Sequence, residues 1–174
     1  MEIIIRPVGI VKNNIKEPNL IAGDTNINRV GRKEEMKRRH SELIKSVSDI
    51  IINDEHDGIL DGIEDFSHIL VLYWPHLLPE KSRSLVKVHP MGNKDLPVKG
   101  IFATCSPARP NPILVTAVPL LLRTDNVLKV QGLEAMDGSP VIDIKPYSPN
   151  YYNPKDVVLA DWMQNISEEL NDIS

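Results

Sequence analysis

The chain has one cysteine, Cys105, in 174 residues, so no internal disulfide can form, which agrees with a reducing compartment. No two glycines stand one residue apart, which removes the Gly-x-Gly turn of dinucleotide-binding folds. Neither a P-loop nor a His-Glu-x-x-His helix is present. No apolar run approaches eighteen residues, so no membrane-spanning helix is expected. The opening Met1-Glu2-Ile3-Ile4-Ile5-Arg6-Pro7 lacks the basic start and cleavage site of a signal peptide, and the expected location is cytoplasmic. Aromatic residues are 5% of the chain, too few for an interleaved basic-aromatic strip of the kind that binds single-stranded nucleic acid. Twenty basic residues against 24 acidic ones, a net charge of −4, argue against binding nucleic acid by bulk attraction but leave room for a local basic face. The length and the 41% apolar fraction suit one globular domain with a real core.

Against these absences stands Thr104-Cys105-Ser106-Pro107-Ala108-Arg109-Pro110-Asn111-Pro112, with three prolines in six residues around one arginine and one asparagine. Each proline fixes its own φ, removes a donor and pushes the residue before it toward extended backbone, so the loop is stiff in advance. A stiff loop either binds a ligand at low entropic cost or connects two strands rigidly. Downstream, Asp137-Gly138-Ser139-Pro140 is strong turn chemistry, followed by the alternating Val141-Ile142-Asp143-Ile144 and then Lys145-Pro146-Tyr147. Upstream, Phe66-Ser67-His68 leads a polar corner into the apolar run Ile69 to Trp74.

Between Arg29 and Lys45 there are seven basic residues and three glutamates, and Lys33 to Ser48 reads as a helix with a partial apolar stripe at Met36, Leu43, Ile44 and Val47. Arg32, Lys33, Lys37, Arg38 and Arg39 are candidate RNA contacts, or equally the solvated face of an amphipathic helix. Strands are expected at Ile3–Lys12, Ser48–Asn53, Phe66–Trp74 (buried on both faces), Ser82–His89, Val98–Thr104, Ile113–Leu122, Val127–Leu133 and Val141–Lys145, with a turn at Asp125-Asn126. Residues 13–32 read as a polar connector. A C-terminal helix is expected from Asp156 to Leu170, packing through Val157, Val158, Trp162, Ile166 and Leu170. The pattern predicts a mainly β fold: one β-barrel domain over residues 1–150, with a helical insertion at about 31–48, and a tail with a helix over 151–174 packed on it. The acidic residues between Asp54 and Asp65 lie across turns and match no metal-ligand spacing, so no metal site is expected.

Phe-Ser-His-Ile, Ser-Pro-x-Arg-Pro-Asn-Pro and Asp-Gly-Ser-Pro-Val-x-Asp-Ile-Lys-Pro-Tyr, in this order, resemble the TrmO (YaeB-like) family of methyltransferases, from Pro7-Val8-Gly9-Ile10 to Tyr147. The resemblance implies an all-β barrel that binds S-adenosylmethionine near a homodimer interface. It further implies methylation of the exocyclic amine nitrogen of threonylcarbamoyladenosine beside the anticodon of tRNA. Departures are Cys105 where many relatives have arginine, Leu114 where they often have glycine, and a missing Pro-Arg-Gln segment within residues 15–25.

On that resemblance, Phe66, Ser67, His68, Ser106, Arg109, Pro110, Asn111 and Pro112 are candidate cofactor residues. Arg109 suits the cofactor's carboxylate or ribose, or the substrate's threonyl carboxylate. Asp143 or Asp137 is the candidate general base or counter-charge to the sulfonium, with Lys145 and Tyr147 orienting. His68 also fits a hydrogen-bonded structural role, Trp74 and Trp162 fit the core, and Tyr151 and Tyr152 fit a lid or a subunit contact. Two other functions stay open: a binding module without turnover, and a methyltransferase with a different acceptor.

Overall fold

A computed structural model describes residues 2–16, 20–22, 27–29 and 33–171. The elements are β1 (Gly9–Lys12), β2 (Leu20–Ala22), β3 (Ile27–Arg29), α1 (Lys33–Lys45), β4 (Val47–Ile52), β5 (His68–Tyr73), β6 (Lys87–Val88), β7 (Lys99–Gly100), β8 (Leu114–Thr124), β9 (Val127–Gln131), β10 (Pro140–Pro146), α2 (Pro149–Tyr152) and α3 (Asp161–Asn171). Six strands close a barrel in the order β1-β10-β5-β8-β9-β4, every pair antiparallel. The mainly β barrel expected from the strand spacing is the fold observed.

Alternation builds it. In β4 and β5 every second residue is buried, so Ser48, Ile50 and Ile52 meet Ile69, Val71 and Tyr73 inside, with Val118, Leu128, Val130 and Val141 from the other strands. Tyr73 donates its hydroxyl to Glu134 O at 3.0 Å, and burial pushes that phenol up to about 12. Gly9 bonds into both neighbours of β1, opposite Ile52 and Val141, at the seam that shuts the cylinder.

Because all neighbours run antiparallel, the register sorts the chain to two ends. Lys12, Val47, Tyr73, Leu114, Gln131 and Pro140 lie at one end, here the upper; Gly9, Ile52, His68, Thr124 and Pro146 lie at the lower. The helix α1 sits at the upper end, where Gln131 Nε2 donates to Ile44 O (3.1 Å) and Ser46 Oγ to Leu43 O (2.7 Å). Residues 74–113 leave the barrel after Tyr73 and return at Leu114, carrying their own small cluster of Leu85, Val88, Ile101 and Ala108.

Several expectations are corrected. The first strand begins at Gly9, not Ile3: Pro7 has no N–H for a ladder, and Ile3, Ile4 and Ile5 are exposed. The helix α1 ends at Lys45, because Val47 already enters β4. In β5 one face is buried, while Leu70 and Leu72 on the other are only half-buried. Ser82–His89 and Val98–Thr104 are not strands over their length. Each is a 3-10 turn (Glu80–Ser84, Ile101–Ala103) beside a two-residue strand, because their apolar residues feed the small cluster instead of a sheet. The last helix starts at Asp161, since Asp156 takes a left-handed φ of 56°, and Val157 and Val158 are exposed rather than packed. Among the described residues no helix is long and apolar enough to cross a membrane.

Candidate functional site

The outer face of β10 carries a charged pair that runs from mid-strand toward the lower end. Asp143 and Lys145, two apart on β10, point to the same side of the sheet and pair at 2.5 Å, with Asp143 Oδ1 also accepting the Ile144 N–H at 2.9 Å. That carboxylate raises the Lys145 ammonium above its usual range. Lys145 lies opposite Leu70 on β5, and Tyr147 N donates to His68 O at 3.0 Å, which brings the Phe66-Ser67-His68 corner beside the Asp143-Ile144-Lys145-Pro146-Tyr147 strand. Ser67 Oγ and His68 Nδ1 are 3.0 Å apart, and Phe66, Ser67 and His68 are all exposed.

The proline loop lies elsewhere. It feeds β8 at Leu114, opposite Tyr73, whereas His68 is at the other end of β5, five residues or about 17 Å away. Its stiffness is observed, with an added brace absent from the sequence pattern. Arg109 turns back, donating from Nε to Ser106 O (2.7 Å) and from Nη2 to Thr104 O, while Ser106 Oγ accepts from Ala108 N at 3.2 Å. Ala108 and Pro112 are buried; Cys105, Pro110 and Asn111 face solvent. Two guanidinium donors are thus committed to the loop's own carbonyls, and Pro110-Asn111 is what the loop presents.

Asp137 is at the upper end too, in a structural role. It accepts from Asn13 N at 3.1 Å and from Lys16 Nζ, while its own N–H goes to Ile15 O at 2.9 Å. Asn13 also reaches Ser48 Oγ (3.0 Å) and Ala135 O (2.8 Å), so one asparagine and one lysine from the supposed plain connector cap the barrel. Neither announced itself, because a single polar residue in a loop has no periodicity. Lys16, then the Asn13 N–H, holds the Asp137 carboxyl below the usual carboxylate range. A depressed folded-state pKa contributes stability that is present at neutral pH and lost as pH falls through the ordinary carboxylate value toward the lowered one. Asp137→Asn is therefore expected to lower Tm at pH 7, by a margin that shrinks as pH falls below the ordinary carboxylate value, in melts recorded across that range.

Of the basic set, Arg38 is exposed and pairs with Glu42 at 3.3 Å, and Arg39 lines a cleft of about 580 Å³ with Asn14, Lys16 and Leu43. Lys33 and Lys37 lie on α1 with side chains outside the described residues, and Arg32 lies outside them altogether. The acidic turns are held by Arg123, which bonds Asp61 (2.9 Å), Glu64 (3.0 Å) and Leu60 O (3.0 Å).

The model of the tRNA-methyltransferase O N-terminal domain matches residues 30–153, a span that includes both β10 and the proline loop. The chain belongs to the TrmO family. An Archaeoglobus fulgidus protein named S-adenosyl-L-methionine-binding protein is 41% identical over 146 residues, 84% of this TrmO chain and 90% of its own length. A human tRNA (adenine(37)-N6)-methyltransferase is 36% identical over 128 residues, 72% of this chain but 28% of the human protein. The crystal structure of TrmO from Pseudomonas aeruginosa superposes with a TM-score of 0.64 at 24% identity, covering 91% of this chain and 61% of that one, and shares the fold. The chain thus spans under two thirds of that solved TrmO.

Proposed function

We propose that this TrmO-family chain transfers a methyl group from S-adenosylmethionine to the exocyclic amine nitrogen of threonylcarbamoyladenosine next to a tRNA anticodon, as a homodimer. The observation that carries the reading is the Asp143–Lys145 pair on an open sheet face, flanked by Phe66, His68 and Tyr147, within the span matched to the family. The donor set suits the cofactor: an anion for its cationic sulfur or ribose hydroxyls, an ammonium for its carboxylate and exposed rings for its adenine.

When bound, S-adenosylmethionine supplies an electrophilic methyl group. The chain's own task is to hold the acceptor amine and remove its proton. Conjugation to a urea carbonyl draws the amine's lone pair away and makes its N–H more acidic, so a placed carboxylate suffices as base. Asp143 has that role: Lys145 pairs with one carboxylate oxygen at 2.5 Å, and the Ile144 N–H fixes the other.

One protomer offers a shelf rather than an enclosed site, with the proline loop entering β8 at Leu114, a level about 17 Å along β5 from His68. On the outer face between them, β8 exposes Val115 (60%) next to Leu72 and Ala117 next to Leu70. This exposed apolar strip is a surface that a second copy of the chain could cover, which is the support for the homodimer. The test is methyl incorporation from labelled S-adenosylmethionine into tRNA with and without the threonylcarbamoyl group. Label is expected on the modified tRNA alone. No label on either would sink the reading; if calorimetry then still showed cofactor binding, the chain would be the binding protein that its archaeal relative's name describes.

A further inference from the structure

Three tyrosines follow the Asp143–Lys145 pair, and the proposed reaction draws on one of them, Tyr147. The short helix α2 has Pro149 at its first turn, and the Ser148 carbonyl accepts the N–H groups of both Tyr151 (3.0 Å) and Tyr152 (3.1 Å), so the backbone beneath them is fixed. Tyr152 stacks on Tyr147 with centroids 5.8 Å apart and planes at 26°. Tyr147 in turn is tied by its N–H to His68 O on β5, at 3.0 Å. Tyr151 leans on Tyr152 at 6.3 Å and 55°, with 83% of its surface in solvent. The result is an aromatic ring on a braced support, its outer side uncovered, a few residues from the candidate base.

We propose that Tyr151 is the stacking platform for an unpaired base of the RNA substrate, next to the nucleotide being methylated; this rests on the tRNA-methyltransferase reading above. Chemistry on a base requires that base to leave its stack, which strips a neighbour of its partner. A tyrosine face replaces the lost stacking, for any base, and a backbone already fixed beneath it limits the entropy given up in doing so. The occupant is an RNA base rather than the cofactor's adenine because small cofactors are enclosed over most of their surface, and Tyr151 is at the open rim.

Tyr151→Leu and Tyr151→Phe are compared with the wild type in full-length protein. The leucine variant is expected to bind a fluorescein-labelled anticodon stem-loop about ten-fold more weakly by anisotropy. Its KM for modified tRNA should rise by a similar factor with kcat nearly unchanged, while phenylalanine restores both and calorimetric affinity for S-adenosylmethionine stays the same. Equal stem-loop affinity in wild type and leucine variant overturns the proposal. So does weakened cofactor binding, which would place adenine on the ring, or a shift to monomer in sedimentation, which would make Tyr151 a subunit contact. If the wild type methylates no tRNA, the functional reading fails on its own, and the stem-loop affinities still decide the platform.

Discussion

Asp143→Asn is expected to slow methyl transfer to threonylcarbamoylated tRNA by roughly 100-fold to 10,000-fold, the range that a positioned general base contributes. The substitution separates charge from shape. Asparagine keeps the oxygen that accepts the Ile144 N–H at 2.9 Å, so the strand end retains its local bond and the barrel its Tm. It loses the anion that pairs with Lys145 at 2.5 Å and that takes the acceptor's proton. Single-turnover incorporation of labelled methyl, at saturating cofactor, reports the chemical step without product release. A loss under ten-fold would remove Asp143 from the role of base. The same assay on Asp137→Asn is an internal contrast: Asp137 is tied to Asn13 and Lys16 in the loop before β10, and its loss is expected to be felt in stability, with the rate within a few-fold of wild type.

Gly9→Ala is expected to be strongly destabilising. A Cβ at this position would lie 2.4 Å from Ile51 O and 3.1 Å from both Ile51 C and Ile52 Cα. All three are backbone atoms of β4, so no side chain can swing aside, and relief requires β1 to separate from β4 where the cylinder closes. Overpacking costs about 1–3 kcal/mol and sometimes more. With backbone on the receiving side, the upper end applies, about 3 kcal/mol of the roughly 5–15 kcal/mol that holds a domain folded. Gly100→Ala is the matched control, because a Cβ there meets nothing within 4 Å. Urea melts giving equal midpoints for the two variants would show that the seam tolerates the methyl.

Several strands could be read from the chain because alternation is a local signal. Ser48 to Asn53, Ile113 to Leu122, Val127 to Leu133 and Val141 to Lys145 each became a barrel strand within a residue or two, and the expected turn at Asp125-Asn126 is present, with a left-handed φ of 50° at Asp125. The excursion of residues 74–113 was misread because its hydrophobic residues serve a separate small cluster, and a short apolar run has the same look in either setting. The rigidity of the proline loop was legible, since proline acts on its own backbone. Its distance from His68 was not, because that depends on which way each strand runs, and no local pattern carries direction. Arg109 shows the same limit: a guanidinium suits a ligand carboxylate or a row of carbonyls equally, and here the carbonyls of Thr104 and Ser106 take it.

The excursion that carries the proline loop joins the barrel through two chain passages, after Tyr73 and before Leu114, and it has a hydrophobic cluster of its own. Its opening need not break any barrel ladder. In amide exchange it is expected to behave as a separate cooperative unit, with Val88 and Ile101 exchanging sooner than Ile69 or Val118 and with denaturant sensitivity that reports local rather than global unfolding. Substitutions in the proline loop are therefore expected to leave the stability that keeps β5 and β10 in register largely unchanged.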